Sequence, residues 1–278
     1  MRSRHFLSLL SIALLFCASQ LPAATPIPFR FRDRMIWIKV VVAGQSEPLN
    51  FLLDSGAGAS VLDLAAARRL GLPLGERQTV QGVHSRSVAY GVKGFTATAA
   101  SVALPSSLLA VDLRGPSASC HQRIDGLLGA DFFRDRIVQI DFAAQTIRLL
   151  QRSEVNAAGC EILPLAPRND TFCTRLSVDG NAPEWLRLDT GCNSALEWVV
   201  TGDKAKQFGR TTVGVNSGSA REIHADIQLG TKRIAAVPTG IHTAQIFSGE
   251  AGLIGNGLLA RFTVTIDPAQ RRCLLAPR

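Results

Sequence analysis

Apolar positions in this chain come in short runs, many of them β-branched, separated by Gly, Pro or Asn. Arg136-Ile137-Val138-Gln139 and Phe262-Thr263-Val264-Thr265 alternate with the period of two expected of strands. Further short strands are predicted around Ile147 to Leu150 and Cys273 to Ala276, and apolar extended runs end at Asp54 and Asp189. Helical spacing is confined to Leu62–Leu70, stopped by Gly71, and to a weaker counterpart, Ser194–Phe208, broken by Gly202. The pattern predicts an all-β chain with a few short helices.

The pattern also repeats. Phe51-Leu52-Leu53-Asp54-Ser55-Gly56-Ala57 is matched 135 residues later by Leu186-Arg187-Leu188-Asp189-Thr190-Gly191-Cys192. Downstream, Leu127-Leu128-Gly129 corresponds to Leu253-Ile254-Gly255, and an Ile-Asp pair ends twelve residues after each Gly, at Asp141 and Asp267. Val42-Ala43-Gly44-Gln45 and Val178-Asp179-Gly180-Asn181 read as matching turns before the two aspartates. Val80-Gln81-Gly82-Val83-His84-Ser85 resembles Thr212-Val213-Gly214-Val215-Asn216-Ser217, each set among short strands as a hairpin would be. Gln151 to Gly159 is polar and aperiodic, a linker between halves at 26–150 and 159–278.

The amino terminus adds a destination. Arg2, Arg4 and His5 precede an uncharged, mostly apolar stretch from Phe6 to Ala18, then Leu21-Pro22-Ala23-Ala24. This is the layout of a signal peptide, residues 1–24, and its apolar stretch is shorter than the ~20 apolar residues a membrane span needs. The expectation is export, periplasmic or secreted, with no stable membrane insertion after signal removal. Loss of Arg2 and Arg4 takes the formal charge from +8 to +6. The remaining cations are scattered rather than gathered into a nucleic-acid groove, so no nucleic acid is expected as partner. Cys120, Cys160, Cys173, Cys192 and Cys273 remain, an odd number whose pairing the sequence leaves open. No Cys-x-x-Cys, His-Glu-x-x-His or Gly-x-Ser-x-Gly occurs, and neither a metal nor a cofactor is expected.

The two Asp-(Ser/Thr)-Gly phrases, each followed by an apolar-apolar-Gly triplet, resemble the retropepsin-like and pepsin-like aspartic protease family, in a bacterial single-chain form. The resemblance covers both halves. It implies the acid-protease fold: two homologous β-barrel-like lobes with a cleft between them. It implies catalytic roles for Asp54 and Asp189, support from Ser55, Gly56, Thr190 and Gly191, and flaps at Gly82, Val83, Gly214 and Val215. The apolar-apolar-Gly triplets would pack behind the two loops and hold them. Cys192 stands where the family usually has Ala, Ser or Thr.

Chemistry agrees with that assignment. Hydrolysing a peptide bond without a metal needs a water made nucleophilic and a proton donor. Two adjoining carboxylates that share one proton supply both, because like charges so close cannot both ionise. Which of the two holds the proton is not legible from sequence. The reading is an exported aspartic endopeptidase acting on polypeptide substrate as a monomer; a catalytically silent peptide-binding protein of the same fold is the alternative. A Cys192 nucleophile served by His224 or His242 has no further support in the sequence.

Overall fold

In the sheet that joins the two halves, the alternation of the two Ile-Asp segments becomes pairing. The structure, a computed structural model, describes residues 25–82, 85–201 and 221–278. Strand Ile137–Asp141 runs antiparallel to Phe262–Asp267, with Val138 opposite Ile266, Gln139 opposite Thr265 and Ile140 opposite Val264. These positions exchange under the sequence repeat, so the register places a pseudo-twofold axis between Gln139 and Thr265. The Gln139 amide donates to the Thr265 hydroxyl at 3.2 Å there. Val138, Ile140, Val264 and Ile266 are all buried. Strands Thr146–Leu150 and Ile27–Arg32 extend the sheet on one side, and Arg272–Pro277 and Glu161–Arg168 on the other.

Each half then builds a barrel-like lobe in the same order. In the first, Leu49–Leu53 pairs antiparallel with Met35–Val42 and parallel with Gly126–Leu128. Gly126–Leu128 pairs on with Val61–Asp63, which lies parallel to Ser107–Val111. In the second, Glu184–Leu188 pairs antiparallel with Thr171–Val178 and parallel with Gly252–Ile254. Gly252–Ile254 continues to Leu196–Val199, which lies parallel to Lys232–His242. The matching turns are present: Gln45 N–H reaches Val42 O at 3.1 Å and Asn181 N–H reaches Val178 O at 3.0 Å. Burial of apolar side chains inside the lobes, with Phe51 stacked on Phe95 in the first, is the main stabilising term.

Both helix expectations need correction. The segment Leu62–Leu70 divides: Val61–Asp63 is a strand, and the helix is Leu64–Arg69. Asp63 sets the boundary. Its carboxylate caps the helix by accepting from the Ala65 and Ala66 N–H groups at 3.1 Å, and its other oxygen accepts from Leu113 N–H. At the pseudo-equivalent place, Leu196–Val199 is also a strand, because sheet partners on both sides override weak helical spacing. Residues 202–208 of that expected helix lie outside the described residues, as do the signal segment 1–24 and Val83, His84, Gly214 and Val215. Of the expected flaps, Gly82 ends strand Leu74–Gly82, which pairs with Ser85–Lys93. No helix among the described residues is long and apolar enough to cross a membrane.

Asp63→Ala removes both carboxylate oxygens that accept from three backbone donors, two of them at a helix start. It is expected to destabilise the protein by about 2 kcal/mol in chemical denaturation, whereas Asp63→Asn, which keeps an acceptor, should lose less than half of that.

Candidate active site

Each lobe brings its aspartate to the end of a strand and fixes its backbone there. Asp54 N–H donates to Leu128 O at 2.9 Å, and Asp189 N–H to Ile254 O at 3.0 Å. These bonds continue the parallel pairings of Leu49–Leu53 with Gly126–Leu128 and of Glu184–Leu188 with Gly252–Ile254. The apolar-apolar-Gly triplets therefore hold the two loops from behind. After each aspartate the chain turns alike, with Ala57 N–H on Asp54 O at 3.1 Å and Cys192 N–H on Asp189 O at 3.2 Å.

The two loops lock to each other through four buried hydrogen bonds. The Ser55 hydroxyl donates to Leu188 O at 2.8 Å and accepts from Thr190 N–H at 3.1 Å. The Thr190 hydroxyl donates to Leu53 O at 2.9 Å and accepts from Ser55 N–H at 2.9 Å. Each hydroxyl thus reaches into the opposite lobe and satisfies one donor and one acceptor there. Both side chains are buried, so an unmade bond would leave a polar group without water.

This lock sets the carboxyls face to face. They are hydrogen-bonded to one another. A Cβ on Gly56 would overlap the Asp189 carboxyl, and one on Gly191 would overlap that of Asp54. Only glycine lets each loop pass beneath the other's acid. The donors are unequal: Asp54 Oδ1 accepts from Gly56 and Ala57 N–H, both at 3.1 Å, and Asp189 Oδ1 from Gly191 N–H alone, at 2.9 Å. Burial raises both carboxyls above the ordinary range. The charge on Asp54 adds to the effect at Asp189, pushed up to about 8. The two N–H donors oppose the rise at Asp54. The additional N–H donor favours the negative charge on Asp54 and the shared proton on Asp189.

Residues 38–132 match the family model described as aspartyl protease. No curated protein matches the sequence. Among solved structures, the aspartic proteinase from Irpex lacteus superposes with a TM-score of 0.60 at 12% identity. The match covers 92% of this chain and 97% of that one. At that identity the likeness establishes the fold, and the match at 38–132 includes the first Asp-Ser-Gly. Over residues 38–132 the chain thus matches the aspartyl protease family, and over nearly its whole length it has the acid-protease fold.

Around the pair, the structure has features that the sequence motifs do not single out. Arg187 is buried and forks onto buried Glu250, Nε to Oε2 at 2.7 Å and Nη2 to Oε1 at 2.8 Å. Its Nη1 crosses to the first lobe and donates to Gly56 O at 2.8 Å. The Asn256 amide donates to Thr190 O and to Arg34 O, both at 2.7 Å, tying a further turn of the first lobe to the second loop. The available signal for Arg187 was a charge inside an apolar run whose repeat counterpart is Leu52. Val80, on the strand leading to Gly82, packs on a cluster that includes Leu52 and Trp37, which links that hairpin to the strand carrying Asp54. Tyr90 lies against the main core instead. Cys192 forms no disulfide, and its Sγ is 2.9 Å from Ser194 Oγ. Burial, with the Asp189 charge adding, pushes its thiol up to about 12, which removes it as a thiolate nucleophile. His242 is engaged by Glu197 at 2.6 Å.

Thr190→Ala strips the Ser55 N–H of its acceptor and Leu53 O of its donor. Its unfolding free energy should fall by about 3 kcal/mol in a denaturant titration, while Thr190→Ser, which keeps the oxygen, should stay within about 1 kcal/mol of the parent.

Proposed function

We propose that the protein is an exported aspartic endopeptidase that hydrolyses polypeptides with a water activated between Asp54 and Asp189. The family and fold support a peptidase at the coarse level. The observation that carries the finer reading is the carboxyl pair, one acid from each lobe, hydrogen-bonded together and unequally supplied with donors. A merely structural aspartate would need neither a second acid nor the two glycines that let them meet.

In this mechanism ionised Asp54 takes a proton from the attacking water, and protonated Asp189 donates to the scissile carbonyl oxygen as it becomes tetrahedral. Asp54 then gives its proton to the amide nitrogen while Asp189 takes one back from a hydroxyl of the tetrahedral intermediate, so that the C–N bond breaks, the amine leaves neutral and one proton remains on the pair. Both acids come from one chain, which supports a monomer as the active form. The layout of residues 1–24 supports export to a periplasm or beyond the cell. The segments with Gly82 and Val83 and with Gly214 and Val215 are assigned to cover an extended substrate.

Incubation with a denatured protein tests this directly. Wild type should cleave it, and Asp54→Asn and Asp189→Asn should each lose at least about a thousandfold in kcat/KM. A folded wild type with no cleavage at any pH would leave only the peptide-binding reading. Activity requires one proton on the pair. It should therefore disappear as pH rises through about 8, where Asp189 ionises. It should also fall in acid, at a pH above the ordinary carboxylate value, where Asp54 takes up the second proton. This keeps the working range open to neutrality.

Stability should fall as pH rises across the working range. A carboxyl whose folded value is raised stabilises the native state fully below its unfolded value and loses that contribution as pH rises to the folded value. For Asp189 the loss spans about 4 to 8. Asp189→Asn should accordingly melt progressively higher relative to wild type across that range; a constant difference between the two would contradict the raised value.

A further inference from the structure

Counting back from the two motifs, Arg187 corresponds to Leu52 and Glu250 to Ile124. In the first lobe that pair is apolar and packs in one buried cluster. In the second lobe it is a forked ion pair, 3% exposed at each residue, with Phe247 under the guanidinium at 3.4 Å and the Asn169 amide on Glu250 Oε1 at 2.7 Å. Burying an ion pair is costly, and an apolar pair of similar volume commonly serves stability as well or better. The fold accepts the apolar version at the equivalent place. What Leu52 lacks is a donor for the opposite lobe, and Arg187 Nη1 is such a donor, 2.8 Å from Gly56 O. Gly56 is also the residue whose N–H holds Asp54 and whose Cα lies against the Asp189 carboxyl.

We propose that Arg187 is a positioning residue for the carboxyl pair: held in plane by Glu250, it crosses the lobe boundary to fix the Gly56 turn and places a permanent positive charge beside the two acids. This rests on the assignment of Asp54 and Asp189 as the reacting pair. Nε and Nη2 are both used by Glu250, so the remaining donor edge has one direction, toward Gly56. Lysine cannot reproduce this, since a single ammonium has no fixed fork. The charge favours the ionised form of each carboxyl, and Arg187 opposes the rise at both Asp54 and Asp189.

The test compares wild type, Arg187→Lys and the double variant Arg187→Leu with Glu250→Ile, which copies the first lobe and leaves no buried charge unpaired. Two readouts are taken. Carboxyl 13C NMR titration follows Asp54 and Asp189 whether or not the protein cleaves anything, and kinetics on a denatured protein give kcat, KM and the pH profile. In the double variant both apparent carboxyl values should move up by about one unit, and both limbs of the pH profile with them. The kcat should fall about tenfold or more, with KM changed less than about twofold. Arg187→Lys should restore the titration but only part of kcat; should the double variant fail to fold, this variant carries the test, with a lowered kcat at near-normal carboxyl values. Unshifted carboxyls together with an unchanged rate in the folded double variant, or in Arg187→Lys an unchanged kcat, would overturn the proposal and leave the protease reading intact. A wild type that cleaves nothing, yet whose carboxyls shift in the double variant, would overturn the protease reading and uphold the effect of Arg187 on the pair.

Discussion

Two carboxyl groups held in hydrogen-bond contact, away from bulk water, cannot both carry charge. Everything around Asp54 and Asp189 serves to impose that contact against the cost of desolvating and crowding two acids. Parallel strands behind each loop fix the aspartate backbones. Ser55 and Thr190 bind the loops across the lobe boundary, and Gly56 and Gly191 leave the space in which the acids meet. The joining sheet, whose register matches position to position under the repeat, carries that arrangement on a broad buried base.

Duplication explains the symmetry of this framework, and chemistry explains where it fails. A symmetric pair would have no reason to place its proton on either acid. The structure breaks the tie with one additional N–H on Asp54, and side chains present in the second lobe only add to the asymmetry of the surroundings. Arg187 with Glu250 replaces Leu52 with Ile124, and Asn256, at the place of Ala130, ties the Thr190 loop to Arg34 of the first lobe. A single chain can hold such differences because its halves vary independently, which a site made from two identical subunits cannot do.

Most of this was legible wherever a feature depends on local pattern or on repetition. Alternation located Ile137–Asp141 and Phe262–Asp267, and the repeated phrases located both aspartates and the residues that lock them. Reading failed where pairing outweighed spacing. Leu196–Val199 has partners on both sides and is a strand, and Asp63 ends a strand and caps a helix at once, a dual role that helical spacing alone does not signal. Arg187 was missed for a related reason: its meaning lies in contacts with Glu250 and Gly56, both distant in sequence. The protonation order was out of reach of the motifs, since both carry the same Asp and Gly, and only the count of N–H donors in three dimensions separates them.

The measurement closest to the central claim is a neutron diffraction structure of crystals exchanged into D2O near pH 6. The account predicts a single deuteron between the two carboxyls, bonded to an oxygen of Asp189 and directed toward Asp54. Carboxyls separated beyond the reach of one bridging water, or both found ionised at that pH, would contradict it.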